Sequence, residues 1–131
     1  VEAMASGKYQ FLRCNFPNGD MVGHTGVMGA VVYAMECVDN SLKAIKEAAD
    51  KYGYTLLITA DHGNADQMIE VSKGKEAVRT AHSLNAVPFI IYDKEKTFSV
   101  KEGAFGLANV APTVAKLLGL AAPACWEESI I

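Results

Sequence analysis

The chain has 131 residues, half of them hydrophobic and 21% charged, with 12 basic against 15 acidic side chains and a net charge of −3. That length suits one ordinary domain burying roughly two thirds of its unfolded surface, and the balance excludes wholesale disorder. The mild acidity gives no reason to expect nucleic acid or an anionic membrane as a partner.

Tyr9 to Asn15 reads as a short strand running into the turn signal Phe16-Pro17-Asn18-Gly19. From Val27 the period becomes helical. Val27, Val31, Met35, Val38, Leu42, Ile45, Ala49 and Tyr52 step by three and four to make one apolar stripe, with Thr25 as the expected cap and Gly53 as the stop. Tyr54 to Ala60 is a near-continuous, β-branched apolar run of the kind covered on both faces in a parallel sheet. Ile69 to Arg79 reads as an exposed excursion, with Lys73, Lys75 and Arg79 on a solvated loop. Val87 to Tyr92 is a second strand, with Pro88 near its start where a missing donor is tolerated. Asn109 to Leu118 is a helix with Asn109 as cap, Pro112 early and Gly119 just past the end. The residues after Ala121 read as a poorly determined tail, in which Trp126 packs. This order predicts an α/β fold: a layered, mostly parallel sheet flanked by helices.

No apolar run approaches the roughly 20 residues needed to cross a bilayer. Val1-Glu2-Ala3-Met4 shows no signal-peptide pattern, and an opening on Val reads as a processed or cut chain. Cys14, Cys37 and Cys125 are odd in number and widely spaced, which favours a reducing, cytoplasmic setting.

All three histidines lie in short polar motifs: Gly19-Asp20-Met21-Val22-Gly23-His24-Thr25-Gly26, Thr59-Ala60-Asp61-His62-Gly63-Asn64-Ala65-Asp66, and Arg79-Thr80-Ala81-His82-Ser83. Asp20, His24, Asp61, His62 and His82 thus offer two carboxylates and three imidazoles, a donor set suited to borderline-hard divalent ions such as Zn²⁺ or Mn²⁺. Five such residues exceed the three or four that one catalytic metal takes from protein, so two metal positions are expected. Asp61 and His62 follow a strand directly, and ligands of open α/β sheets gather at the carboxyl ends of strands. Singly, each motif also reads as an ordinary turn. Met21, Met28 and Met35 are expected to pack in the core. Ser83 beside His82 makes no nucleophile–base pair, because adjacent residues on an extended segment face opposite sides.

At these motifs the chain resembles the 2,3-bisphosphoglycerate-independent phosphoglycerate mutases of the alkaline phosphatase superfamily. NFPNGDMVGHTG, LLITADHGNADQM and TAHSLNAVPFI carry the resemblance, in the family's order and over most of the chain. It implies two manganese-type ions, with Mg²⁺, Co²⁺ or Zn²⁺ as substitutes. Asp20, His24 and His82 match the ligands of one ion, and Asp61 and His62 match part of the other set. The family's nucleophilic serine, with a further aspartate, comes from a segment far upstream. Ser6, Ser41, Ser72, Ser99 and Ser129 have no matching context, and Ala86 stands where the family more often has proline.

The resemblance therefore implies that residues 1–131 are the carboxyl-terminal portion of a metal-binding phosphatase domain. The parent would be a cytoplasmic, glycolytic isomerase interconverting 3-phosphoglycerate and 2-phosphoglycerate through a phosphoserine. The stretch alone is expected to be inactive and to self-associate through uncovered apolar surface. Two other readings stay open: a metal-dependent phosphatase or phosphopentomutase-like relative, and a non-catalytic metal-binding module. Substrate assays on a longer chain separate the first, and metal content of His24→Ala and Asp61→Ala tests the second.

Overall fold

The computed structural model describes residues 1–72 and 74–131, so the expectation for Lys73 lies outside the described residues. Two compact units divide the chain, Val1–Lys94 and Glu95–Ile131. Helices and sheets are mixed, in keeping with the α/β class. No helix among the described residues is long and apolar enough to cross a membrane.

The first unit is built around α3 (Met28–Tyr52), preceded by α1 (Glu2–Ala5) and α2 (Asn18–Gly23). Helix α3 ends where expected: Gly53 takes the left-handed conformation, φ 71° and ψ 36°, at no steric cost. Its N-cap lies two residues later than expected. Val27 is the N-cap, while Thr25 accepts the Val27 N–H at 3.2 Å and donates to the Val22 carbonyl at 2.6 Å. The stripe buries Val31 and Ala49, together with Ala34 and Ala48. Met28, Met35 and Met21 are instead exposed.

Strand β1 (Leu56–Thr59) pairs with β4 (Phe89–Tyr92) in the register Leu56↔Tyr92 to Thr59↔Phe89. The pairing is antiparallel, whereas the run-on apolar sequences point to parallel neighbours. Direction follows from the connection. A parallel return needs a crossover, usually a helix, and between β1 and β4 the described residues form none, only loops and the hairpin β2 (Ile69–Ser72) to β3 (Lys75–Val78). Tyr92 ties this sheet to α3: its hydroxyl donates to Asp50 Oδ1 at 2.8 Å, and Lys46 Nζ lies 4.3 Å above its ring.

The expected strand at Tyr9–Asn15 does not form. No described strand pairs with it, and unpaired backbone does not make a strand. The Tyr54 hydroxyl donates to the Tyr9 carbonyl and holds the start of this segment.

In the second unit a 3₁₀ turn (Leu107–Asn109) leads into α4 (Val110–Leu117). Asn109 is the N-cap by position, but its side chain reaches back, its Oδ1 accepting the Gly106 N–H at 2.8 Å. The tail is anchored rather than loose. Thr113, fully buried, accepts the Ile130 N–H at 2.9 Å, and Lys101 N donates to the Ile130 carbonyl at 2.8 Å. Ile130 is buried by these contacts, while Trp126 stays half exposed.

Candidate metal centre

Asp20 and His24 lie four residues apart on and just after α2, so one helical turn stacks them on the same face. The turn closes through Met21 N to the Pro17 carbonyl at 2.8 Å and His24 N to the Asp20 carbonyl at 3.1 Å. His82 arrives from the segment that follows the hairpin. Its Nε2 lies 3.0 Å from Asp20 Oδ1, and His24 Nε2 lies 3.1 Å from the same oxygen. The two Nε2 atoms are 3.2 Å apart.

His24 Nδ1 is 2.6 Å from the Thr80 carbonyl. A carbonyl only accepts, so Nδ1 carries the hydrogen, and in the neutral ring Nε2 turns its lone pair to the cluster. Metal-ligating imidazoles are oriented in this way by a carbonyl on the far nitrogen. Asp20 is held below its ordinary carboxylate value, first by the amide hydrogen bond from Asn64 and, against a smaller opposing effect of burial, by the neighbouring His24 and His82. Its carboxylate is therefore ionised, as a ligand must be. One carboxylate oxygen and two imidazole nitrogens, all electron-pair donors and all within contact of one another, fit a divalent cation and leave further coordination positions open.

Asp61 and His62 bring no ligand atom into this cluster. They follow β1 by two and three residues, with His62 Nε2 3.7 Å from Asp61 Oδ1 and the Asp61 side chain 88% exposed. The His62 ring instead stacks on His82, centroids 3.8 Å apart and planes at 15°. The three imidazoles thus form a continuous group, while the two carboxylates stand apart in role: Asp20 inside the cluster, Asp61 at its solvent side.

The supporting residues around the cluster escape a motif-by-motif reading. Asn64, buried, donates from Nδ2 to Asp20 Oδ1 at 2.9 Å and lies 3.4 Å from His24 Nε2, while its own Oδ1 has no partner among the described residues. A Cβ on Gly23 would stand 2.2 Å from that Oδ1, so only glycine admits the amide here. Ser83, also buried, donates to Asp66 Oδ2 at 2.9 Å, and its backbone N–H to the Gly63 carbonyl at 2.8 Å. Asp66 also accepts from Asn85 Nδ2 at 2.7 Å, and that bond chiefly lowers its pKa. Arg79 is not on a solvated loop: it is half-buried, pairs with Glu70 at 2.9 Å and donates to the His82 carbonyl at 2.6 Å. The available signal was burial-prone small polar residues beside each histidine, which sequence alone does not separate from turn formers.

The metalloenzyme superfamily matches residues 1–122. The chain is 48% identical over 123 residues to the 2,3-bisphosphoglycerate-independent phosphoglycerate mutase of Salmonella typhi, covering 94% of this chain and 23% of that protein. It is 42% identical to the enzyme of the same name from Trypanosoma brucei brucei, covering all of this chain and 26% of the relative. A crystal structure of Leishmania mexicana phosphoglycerate mutase, solved at low cobalt concentration, superposes with a TM-score of 0.92 at 41% identity, over 98% of this chain and 26% of the other. The chain therefore spans about a quarter of the length of the relatives it matches. With a match that runs through all three histidine motifs, the chain belongs to the metalloenzyme superfamily.

Proposed function

We propose that residues 1–131 supply part of the metal-binding phosphatase-type domain of a phosphoglycerate mutase that interconverts 3-phosphoglycerate and 2-phosphoglycerate in cytoplasmic glycolysis. The observation that carries this reading is the meeting of Asp20 Oδ1 with the Nε2 atoms of His24 and His82 at 3.1 and 3.0 Å. The similarity to named mutases supports the substrate.

On this reading Asp20, His24 and His82 hold one divalent ion, Mn²⁺ by preference. Asp61 and His62 contribute part of the ligand set of a second. Such ions, when bound, lower the pKa of a serine nucleophile and offset charge on phosphoryl oxygens. The residues of this chain do the positioning. Thr80 fixes the His24 tautomer, Asn64 orients the Asp20 carboxylate, and the Ser83–Asp66 bond fixes the loop carrying Asp61 and His62 against the loop carrying His82. The serine that is phosphorylated, and the residues that grip the substrate, come from sequence beyond these 131 residues. The stretch alone is therefore inactive as a mutase. Exposed Met28, Val32 and Tyr33 on α3 give it an apolar surface for self-association.

A chimera tests the proposal: this chain replaces the matching stretch of the Salmonella typhi relative. The expected result is manganese-dependent conversion of 3-phosphoglycerate, abolished by Asp20→Asn. A folded, metal-loaded chimera that turns over other phosphate esters but not phosphoglycerate would overturn it.

A further inference from the structure

His82 lies outside the named helices and strands, beside Ser83, whose N–H donates to the Gly63 carbonyl at 2.8 Å in an isolated bridge. The His82 carbonyl itself is held by a side chain three residues earlier. Arg79 Nη2 donates to the His82 carbonyl at 2.6 Å, and Nη1 donates to Glu70 Oε2 at 2.9 Å. Glu70 belongs to β2, and the Arg79 N–H extends the hairpin ladder by donating to the Met68 carbonyl at 2.9 Å. Met68 is itself buried, so the hairpin is footed in the interior. The guanidinium is thus pinned at one end by the hairpin and grips the His82 peptide with the other, a two-acceptor role that suits the rigid fork of arginine.

We infer that the β2–β3 hairpin, through the Glu70–Arg79 pair, positions the His82 imidazole against Asp20 and His24. This rests on the reading of that cluster as a metal site, and it gives the hairpin a task that an exposed excursion would lack. Arg79 touches no ligand atom of the cluster; it acts through the His82 carbonyl. Supporting groups of this kind commonly change metal affinity about 10- to 100-fold when removed.

The test uses the 131-residue chain with Co²⁺ as probe, reading both the ligand-field absorption and the dissociation constant. Alongside, NMR of the metal-free chain reads the nuclear Overhauser contact between the His24 and His82 rings, whose centroids lie 5.0 Å apart. Arg79→Ala is expected to raise the cobalt dissociation constant by about 10-fold or more and to erase the ring contact. Arg79→Lys, which keeps the charge but not the fork, should recover only part of the loss. Glu70→Gln, which leaves the His82 bond in place, should show a smaller effect in the same direction. Wild-type cobalt affinity and ring contact in Arg79→Ala would overturn the inference. Should that variant fail to fold, the same wild-type result in both Arg79→Lys and Glu70→Gln overturns it. A wild-type chain that takes up no cobalt defeats the metal reading instead, and the ring contact still decides the role of Arg79.

Discussion

His24 gives its Nδ1 hydrogen to the carbonyl of Thr80, 2.6 Å away, and so joins two segments 56 residues apart through one bond. That bond decides which nitrogen faces Asp20. It also means that the backbone of the third motif takes part in the site before His82 does. The cluster is therefore as much a product of backbone placement as of the three ligand-type side chains.

The Asn64 amide is expected to matter for affinity rather than for folding. Asn64→Asp keeps the shape but replaces a donor to Asp20 by a second carboxylate, which removes the main cause of the lowered Asp20 pKa. Cobalt or manganese binding by titration calorimetry should weaken by about 10- to 100-fold, the range typical of lost supporting bonds. Unchanged affinity would show that Asp20 needs no such support.

Gly23→Ala should be worse than its size suggests. The added methyl would sit 2.2 Å from Asn64 Oδ1, in a buried place with little room to yield. The expected loss is about 1–3 kcal/mol, as for overpacked interiors. Chemical denaturation reads it, and a metal-binding defect like that of Asn64→Asp should accompany it.

In the second unit, Thr113 carries the anchoring of the tail. Its hydroxyl donates to the Asn109 carbonyl at 2.7 Å and accepts the Ile130 N–H at 2.9 Å, with no solvent exposure. Thr113→Val keeps the volume and strands the Ile130 donor, a change expected to cost about 1–3 kcal/mol. Amide exchange at Ile130 should accelerate, while exchange within α3 stays as it was.

Acid should weaken the link between α3 and β4. The Tyr92 hydroxyl, then Lys46, hold the Asp50 carboxyl below its ordinary value of 3.8. A carboxylate with a lowered folded value adds stability above the unfolded value, and that stability is lost as pH falls below 3.8 towards the folded one. Asp50→Asn should therefore be less stable than the wild-type chain near neutrality, with the gap closing in more acidic solution. A gap independent of pH would contradict the role given to this pair.

The parts of the fold legible in the sequence were those set by local chemistry. The long period of α3 with Gly53 behind it, the apolar runs that became β1 and β4, and the Pro112 and Gly119 that bracket α4 all act within a few residues of themselves. Strand direction is not local: β1 and β4 run antiparallel, and the described residues between them form no crossover helix. Helix α2 was hidden by its two glycines, which oppose a helix by propensity and are held there by packing. At the site, Asp20, His24 and His82 were legible as ligand types, since few other uses explain them together. Arg79 was misread because its partners, Glu70 and the His82 carbonyl, become neighbours only once the hairpin has folded. The anchoring of the tail was invisible for the same reason, with Thr113 and Ile130 17 residues apart.

Equilibrium dialysis against Mn²⁺ with elemental analysis reads whether Asp20, His24 and His82 form a divalent-cation site. The wild-type chain should retain manganese, and Asp20→Asn and His82→Ala should each lose it while keeping wild-type circular dichroism. Manganese retained at the wild-type level by both variants would contradict that assignment.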